Sequence, residues 1–462
     1  FLVLINNKNL CNIYIIMSVI EHPYNFELSE ESPSSRNIRT KLKSEEDNYS
    51  LSERCIIQIP NTRNAVLSCQ NTWADISVSF SNLSGTGTAP LTGIQMSSIG
   101  IYSAISEIIV EQGTNVLQHT RNHQEIMALL LLINTDVSAT LPLSISAGCG
   151  ELDATRTRQG KAQTVTGTSP NGAIAKQNFS VPLMGIMSSI KKLPLFQINS
   201  PLVITLVWAG RVTQMLSSNL GSATSQLVDG QANFTCNINA DIILLSDRAV
   251  QDIRNASNVN ETGIMSWSDT AIELVKTNVS KDELNSVAEI VKVQIQGGLK
   301  PKRLLSCAIF GTNLPNGCVD AYQTYNYCSD TLQLRLGNAQ HPPRAYKGLG
   351  QLTQGILRVV QQNSLPLQAN MLTGTKNTLN QRQPASTVSE AGNGIKNGVV
   401  GGHSFKSWYD SREGIDSSQQ QMETMISIKA SGTATFDMTS NFVKRYATII
   451  SCSQDGQLTV AY

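Results

Sequence analysis

The chain has 462 residues, too many for one ordinary domain, and two domains of about 200 residues each are the natural expectation. It is 40% hydrophobic but only 15% charged, against roughly 25% charged in an average soluble protein. The formal net charge of +1 gives no overall field to attract nucleic acid or a membrane, which argues against a nucleic-acid-coating protein.

Ser, Thr, Asn, Gln and Gly take the place of the missing charges, and such a polar, weakly charged surface suits a protein that packs beside copies of itself. Residues 1–16, FLVLINNKNLCNIYII, carry four Asn and no small-residue cleavage pattern. They read as translated sequence upstream of a start at Met17 rather than as a secretory signal. Residues 1–51 read as a disordered N-terminal arm, in which residues 20–50 are charged and poor in hydrophobic period.

Strands follow from Ser52 onward. Cys55 to Ile59 is a strand ended by Pro60, and the chain starts again at Ala65-Val66-Leu67. Ile76, Val78 and Phe80 alternate with polar residues, the pattern of a half-buried strand. Residues 81–90, SNLSGTGTAP, read as a loop. Ile99 to Val110 reads as one long strand, with Ile108 and Val110 on one face and Glu107 and Glu111 on the other. Gln112-Gly113-Thr114-Asn115 is a turn signal. Asn122, three residues before Glu125, is a weak capping-box pattern. Ile126, Leu129, Leu130 and Ile133 then have the spacing of one helical face, so a short buried helix is expected, too short for a membrane span.

Residues 138–177 are rich in Gly, Ser and Thr and read as a long exposed excursion. Strands resume at Phe179–Leu183. Leu202, Ile204, Leu206 and Trp208 share one face of the next, and Phe234 to Leu245 closes the first half. Residues 246–284 look like a connector, although Ala271–Val275 has strand character. The β pattern restarts at Ala288 to Ile295, then Leu304–Phe310, then residues 331–338, ended by the HPPR run. Leu352, Ile356, Val359 and Val360 suggest a helix interrupted by Gly355. Residues 373–421 form a second polar excursion. Ile426 and Ile428 mark another strand, Asp455-Gly456 a hairpin turn, and Leu458, Val460 and Tyr462 a last strand face.

The two halves echo each other in layout, and IIQIPNTRNAVLSC (56–69) weakly resembles VKVQIQGGLKPKRLLSC (291–307). The fold class expected is all-β, a sandwich or jelly roll in each half, with short inserted helices and long loops.

Chemistry-bearing motifs are sparse. His119 and His123 are four residues apart, but Thr120 stands where a zinc-protease helix needs Glu. Solvent or polar packing is the better reading of both. Gly-bearing SGTGTAP (84–90) and GLGQLTQG (348–355) lack the GK[ST] of a phosphate loop. LKPKR (299–303) reads as a solvated strand end rather than a phosphate site. The nine Cys are odd in number, irregularly spaced and without a CxxC pair, so free and mostly buried thiols are expected rather than a disulfide framework. Several N-x-S/T sequons, including those at Asn82, Asn178, Asn233, Asn255, Asn260 and Asn278, arise by chance in a chain of this composition. The expectation is a protein that is not an enzyme, with no catalytic, cofactor-binding or metal residue.

Taken in order, four stretches resemble one known family. CIIQIPNTRNAVLSCQNTWADISVSF (55–80), IGIYSAISEIIVEQGTNVLQHTRNHQEIMALLLLINTD (99–136), LKPKRLLSCAIF (299–310) and LQLRLGNAQHPPRAYKG (332–348) are similar to the double jelly-roll major capsid proteins of double-stranded DNA viruses. That lineage includes tailless phages, adenoviruses, virophages and Polinton-like viruses. The resemblance implies two consecutive eight-stranded jelly rolls, at 52–246 and 286–462, joined by a connector at 247–285. It implies a homotrimeric, pseudo-hexagonal capsomer of an icosahedral virion, built inside the host cell. Partners would be further copies, penton and minor capsid proteins, with no sequence-specific nucleic-acid binding. The excursions would be outward towers or contacts between trimers. A secreted or surface β-sandwich carbohydrate-binding or adhesin protein is the competing expectation; aromatics are only 5%, so stacking platforms for sugars are scarce.

Overall fold

The computed structural model describes residues 36–86, 91, 94–97, 99–127, 145–149, 165–167, 171–182, 192–217, 227–259, 265–280, 282, 291–295, 303–312, 327–336, 338–347, 351, 354–356, 358–359, 400–405, 415–416, 422–430, 438–453 and 455–461.

Period-two hydrophobicity makes most of the described residues sheet. The first set of strands is β1 (Arg36–Lys43), β2 (Arg54–Ile59), β3 (Ala65–Gly85), β4 (Gln95–Met96), β5 (Ile105–Gln112), β6 (Asn115–Thr120), β7 (Val165–Thr166), β8 (Gly172–Pro182), β9 (Lys192–Pro194), β10 (Leu202–Trp208), β11 (Leu216–Ser217) and β12 (Leu227–Leu244). Helix α1 (Asp247–Val259) follows. The second set is β13 (Met265–Val279), β14 (Val291–Ile295), β15 (Arg303–Thr312), β16 (Tyr327–Leu336), β17 (Ala339–Lys347), β18 (Val400–Ser404), β19 (Ile415–Asp416), β20 (Met422–Ala430), β21 (Met438–Cys452) and β22 (Leu458–Ala461).

One sheet of the first set runs β1-β12-β3-β8 and the other β2-β10-β5-β6, with β7 and β9 as short additions to the first. In the second set the sheets run β13-β21-β15-β18 and β14-β20-β16-β17. If the eight principal strands of each set are counted in chain order, both sets have the first beside the eighth, then the third and the sixth. Opposite lies a sheet of the second, seventh, fourth and fifth. That order is the jelly roll, and it occurs twice. The weak echo between 56–69 and 291–307 falls on equivalent elements, β2 leading to β3 and β14 leading to β15.

The first core forms where inward residues of the two sheets meet. Leu202, Ile204, Leu206 and Trp208 of β10 are all buried, as their alternation requires, and so are Phe234, Cys236, Ile238 and Ala240 of β12. Across the gap, the Trp208 indole stacks on the Phe234 ring, with centroids 4.5 Å apart and planes 5° off parallel. Cys55, Cys69, Cys149, Cys236, Cys307 and Cys452 form no disulfide, and all but Cys69 are buried.

Several sequence readings need correction. Residues 36–43 belong to a strand rather than the disordered arm: β1 pairs with β12 from Arg36↔Leu244 to Lys43↔Asn237. It lies at a sheet edge and keeps both faces partly wet, so its sequence shows charge rather than hydrophobic alternation. Residues 100–104, read as the start of a long strand, are a 3-10 turn, and β5 begins only at Ile105. Gly100 has φ +58, where a Cβ would lie 2.0 Å from the Ala147 carbonyl oxygen, so the backbone breaks from extended geometry there. The 81–90 loop begins later, since β3 continues to Gly85, and β7 and most of β8 lie inside the 138–177 excursion. The connector 247–285 contains α1 and all of β13, and β13 pairs with β21 along its length. HPPR does not end a strand but lies inside β17, an edge strand where Pro removes no needed donor. Within 373–421, β18 and β19 pair with β15. The expected helix after Asn122 is described at 123–127; Leu129, Leu130 and Ile133 lie outside the described residues. Asn122 has φ 54, not the extended backbone of an N-cap, and its carbonyl accepts from Ile126 N at 3.3 Å.

Candidate functional site: the junction between the two strand sets

The last hairpin of the second set is built into the first. Ile450, Cys452 and Leu458 are buried in the same hydrophobic cluster as the first core. Its anchor is Gln112, at the end of β5, whose side chain is 2% exposed. Its Nε2 donates to the Gly456 carbonyl at 2.9 Å, and its Oε1 accepts from Leu458 N at 2.5 Å. One amide therefore satisfies a donor and an acceptor of a foreign backbone, as a neighbouring strand would. Asn199 N also donates to the Gly456 carbonyl at 3.0 Å, and Asn115 Nδ2 donates to the Leu458 carbonyl at 3.1 Å. Gly456 has φ +76, and a Cβ there would come 2.4 Å from the Gln197 oxygen and 2.7 Å from Asn199 N. Only Gly fits this approach.

Two further links join the sets. Lys276 of β13 forms an ion pair with Glu125 of the helical turn 123–127. Helix α1 leaves the first set with Asn64 Nδ2 donating to Asp247 Oδ1 at 2.6 Å, and Val250 and Ile253 are buried against the first core. Asp247 lies in the first turn, where a carboxylate is favoured by the helix dipole.

His119 and His123 are not brought together. His119 is on β6, with its Nε2 3.2 Å from Glu107 Oε2. His123 is 2% exposed in the helical turn, edge-on to Tyr102 at 6.4 Å, and neither ring nitrogen has a hydrogen-bond partner. Burial pushes its pKa down to about 3, so it is neutral near pH 7. Among the described residues no group of His, Cys, Asp and Glu could hold a metal ion. SGTGTAP begins at the end of β3, GLGQLTQG leads into the helical residues 354–356, and of LKPKR only Arg303, opening β15, is described. None of the three is gathered into a shared site by the described contacts.

Sequence reasoning missed a polar cluster in the second set. Tyr346 Oη lies 3.0 Å from His403 Nδ1, and His403 packs edge-on to Phe405 at 4.9 Å, with His341 also edge-on to Phe405 at 5.5 Å. Burial first, then the charges of His341 and Arg358, lower the His403 pKa to about 4. The cluster ties β17 and β18 together, and Gly355 sits so near β18 that a Cβ would lie 2.4 Å from the Gly402 oxygen. It is a structural clamp, with partners some 60 residues apart in sequence, so no local motif signals it.

No protein-family model matches the sequence, and no curated protein does. Solved structures do match. A chain of the Sputnik virophage structure is 10% identical, over 100% of this chain and 93% of that one, with a TM-score of 0.60. The mavirus major capsid protein is 10% identical over 95% of this chain and 92% of that one, with a TM-score of 0.54. The Faustovirus major capsid protein is 9% identical over 94% of each chain, with a TM-score of 0.50. The chain has the double jelly-roll fold of these capsid proteins, as the sequence resemblance implied.

Proposed function

We propose that this protein is the major capsid protein of a double-stranded DNA virus. Three chains, each giving two jelly rolls, form a capsomer of pseudo-hexagonal outline that tiles an icosahedral shell. Its place is the virion; its partners are neighbouring copies, penton and minor capsid proteins. No enzymatic role is part of this reading.

The observation that carries it is the repeated strand order together with the junction. A lattice tile needs its two jelly rolls at one fixed angle. The Gln112 amide, the Gly456 turn and the shared core around Ile450, Cys452 and Leu458 couple them within one chain. Closed sandwiches leave few free sheet edges, so contacts between tiles can be many and individually weak.

The test is the mass of the full chain in solution, by light scattering after size exclusion. Three copies of a 50.1 kDa chain amount to about 150 kDa, the mass that threefold closure requires. A stable trimer supports the capsomer and justifies imaging of larger shells. A monomer at micromolar concentration sinks this reading, and glycan binding would then be measured.

A further inference from the structure

Strand β1 concentrates charge in a chain that otherwise has little of it. Four of the chain's 35 basic residues, Arg36, Arg39, Lys41 and Lys43, fall within its eight positions. All four side chains are exposed, and among the described residues none is in an ion pair. Arg39, Lys41 and Lys43 are two apart and so project from one face, about 6.8 Å from one to the next along the strand. Arg39 is held over the Trp73 ring at 4.4 Å, which fixes its direction. The next row on that face is amide-rich, since Lys41 stands opposite Asn239 and Lys43 opposite Asn237. β1 is also the outermost strand of its sheet, so its outer backbone edge is unpaired among the described strands.

Among the described residues the nearby acids form no ion pair with these cations, and the hydrogen bonds of Asp75, Asp241 and Glu45 come from neutral donors. Asp75 accepts from Ser180 Oγ at 2.6 Å, Trp73 Nε1 at 3.1 Å and Asn239 Nδ2. Asp241, opposite Arg39, accepts from Asn71 Nδ2 at 3.3 Å. Glu45 accepts from Gln58 beyond the strand's end, while Glu46 and Asp47 lie in the turn leading away from it.

We infer that the exposed face of β1 is a contact surface for the phosphate backbone of duplex DNA, read without regard to sequence. This rests on the reading of the protein as the shell around such a genome. A bilayer would demand apolar anchors among the cations. The exposed large hydrophobics among the described residues are Val116, Ile145, Val228 and Ile449, and none is on β1. A single chain offers only a few phosphate contacts, but repetition over a shell multiplies them.

The experiment titrates the full-length protein against a labelled duplex by fluorescence anisotropy at several salt concentrations. It compares the unaltered chain with Lys41→Gln/Lys43→Gln. Arg39 is left in place because it packs on Trp73. A control, Lys176→Gln/Lys347→Gln, removes the same charge from exposed sites elsewhere. Loss of two phosphate contacts should lower the slope of log K against log salt by about 1.8 and the affinity on the order of 50-fold at 0.1 M salt. The control should keep nearly all of both. Equal binding by the β1 variant, equal loss in the control, or binding of phosphatidylserine vesicles in place of DNA would each overturn the inference. Light scattering on the same samples separates the two readings. A trimer that ignores DNA removes only this one, and a monomer that needs β1 to bind DNA removes only the capsomer.

Discussion

Replacing Gly456 by Ala tests the junction most directly. The residue sits at φ +76, where an L-residue costs about 1–2 kcal/mol more than Gly. The new Cβ would stand 2.4 Å from the Gln197 oxygen and 2.7 Å from Asn199 N, both backbone atoms that cannot rotate aside. The hairpin must therefore withdraw, and the bonds that Gln112 and Asn199 make to the Gly456 carbonyl stretch or break. At about 1 kcal/mol net for each, the expected total is about 3–4 kcal/mol. For the cooperative unit formed by the first jelly roll and this hairpin, that corresponds to a fall in Tm on the order of 10 °C. The assay is urea and thermal unfolding together with limited proteolysis. Cleavage near residues 453–461 should appear in Gly456→Ala and not in Asp455→Ala, which alters an exposed neighbour. A Gly456→Ala protein within about 0.5 kcal/mol of the unaltered chain, its C-terminal hairpin still protected, would refute the idea that this approach locks the two jelly rolls.

Trp208→Ala should cost about 3–5 kcal/mol in chemical denaturation, because it empties the contact between the facing sheets. Trp208→Phe keeps a ring against Phe234 and removes an indole N–H that has no acceptor, so its cost should be far smaller. His403 has a folded pKa of about 4 against roughly 6.5 in an unfolded chain, so its contribution to stability is lost as pH falls below 6.5, with most of the loss made by pH 4. The loss should reach at most about 3 kcal/mol, and His403→Gln should flatten that part of the stability-against-pH curve measured by urea midpoints. Glu273 faces the nearly buried Lys444 ammonium at 3.2 Å. Glu273→Gln should destabilise by about 1–3 kcal/mol, and the loss should shrink in Glu273→Gln/Lys444→Met when the two are compared in a double-mutant cycle.

Strand existence was legible wherever one face is buried. Leu202 to Trp208 and Ile76 to Phe80 alternate because a side-chain period of two must meet a core on one side. The Asp455-Gly456 turn was legible for the same local reason, since a tight hairpin needs a residue at positive φ. The burial of His123 was not, because an imidazole in sequence gives no sign of whether packing will strip its water. β1 escaped notice because an edge strand is specified by its partner's backbone and not by its own hydrophobicity. The boundary at β13 was blurred for a similar reason: SWSDTAIELV becomes strand by pairing with β21, some 170 residues later.

What the sequence determined by itself was therefore the class of structure: two β halves of like layout, low in charge, with a buried helix start after the Gln112–Asn115 turn. Hydrophobic period and turn chemistry are local properties, and they are written residue by residue. Tertiary structure alone decided that Gln112 would reach across to Gly456 and Leu458, and that His403 would meet Tyr346. It also decided that Arg39, Lys41 and Lys43 would line one exposed face of an edge strand. Those outcomes depend on which distant backbone lies alongside, and closing two sandwiches brings together residues whose separation in the chain carries no signal of the contact.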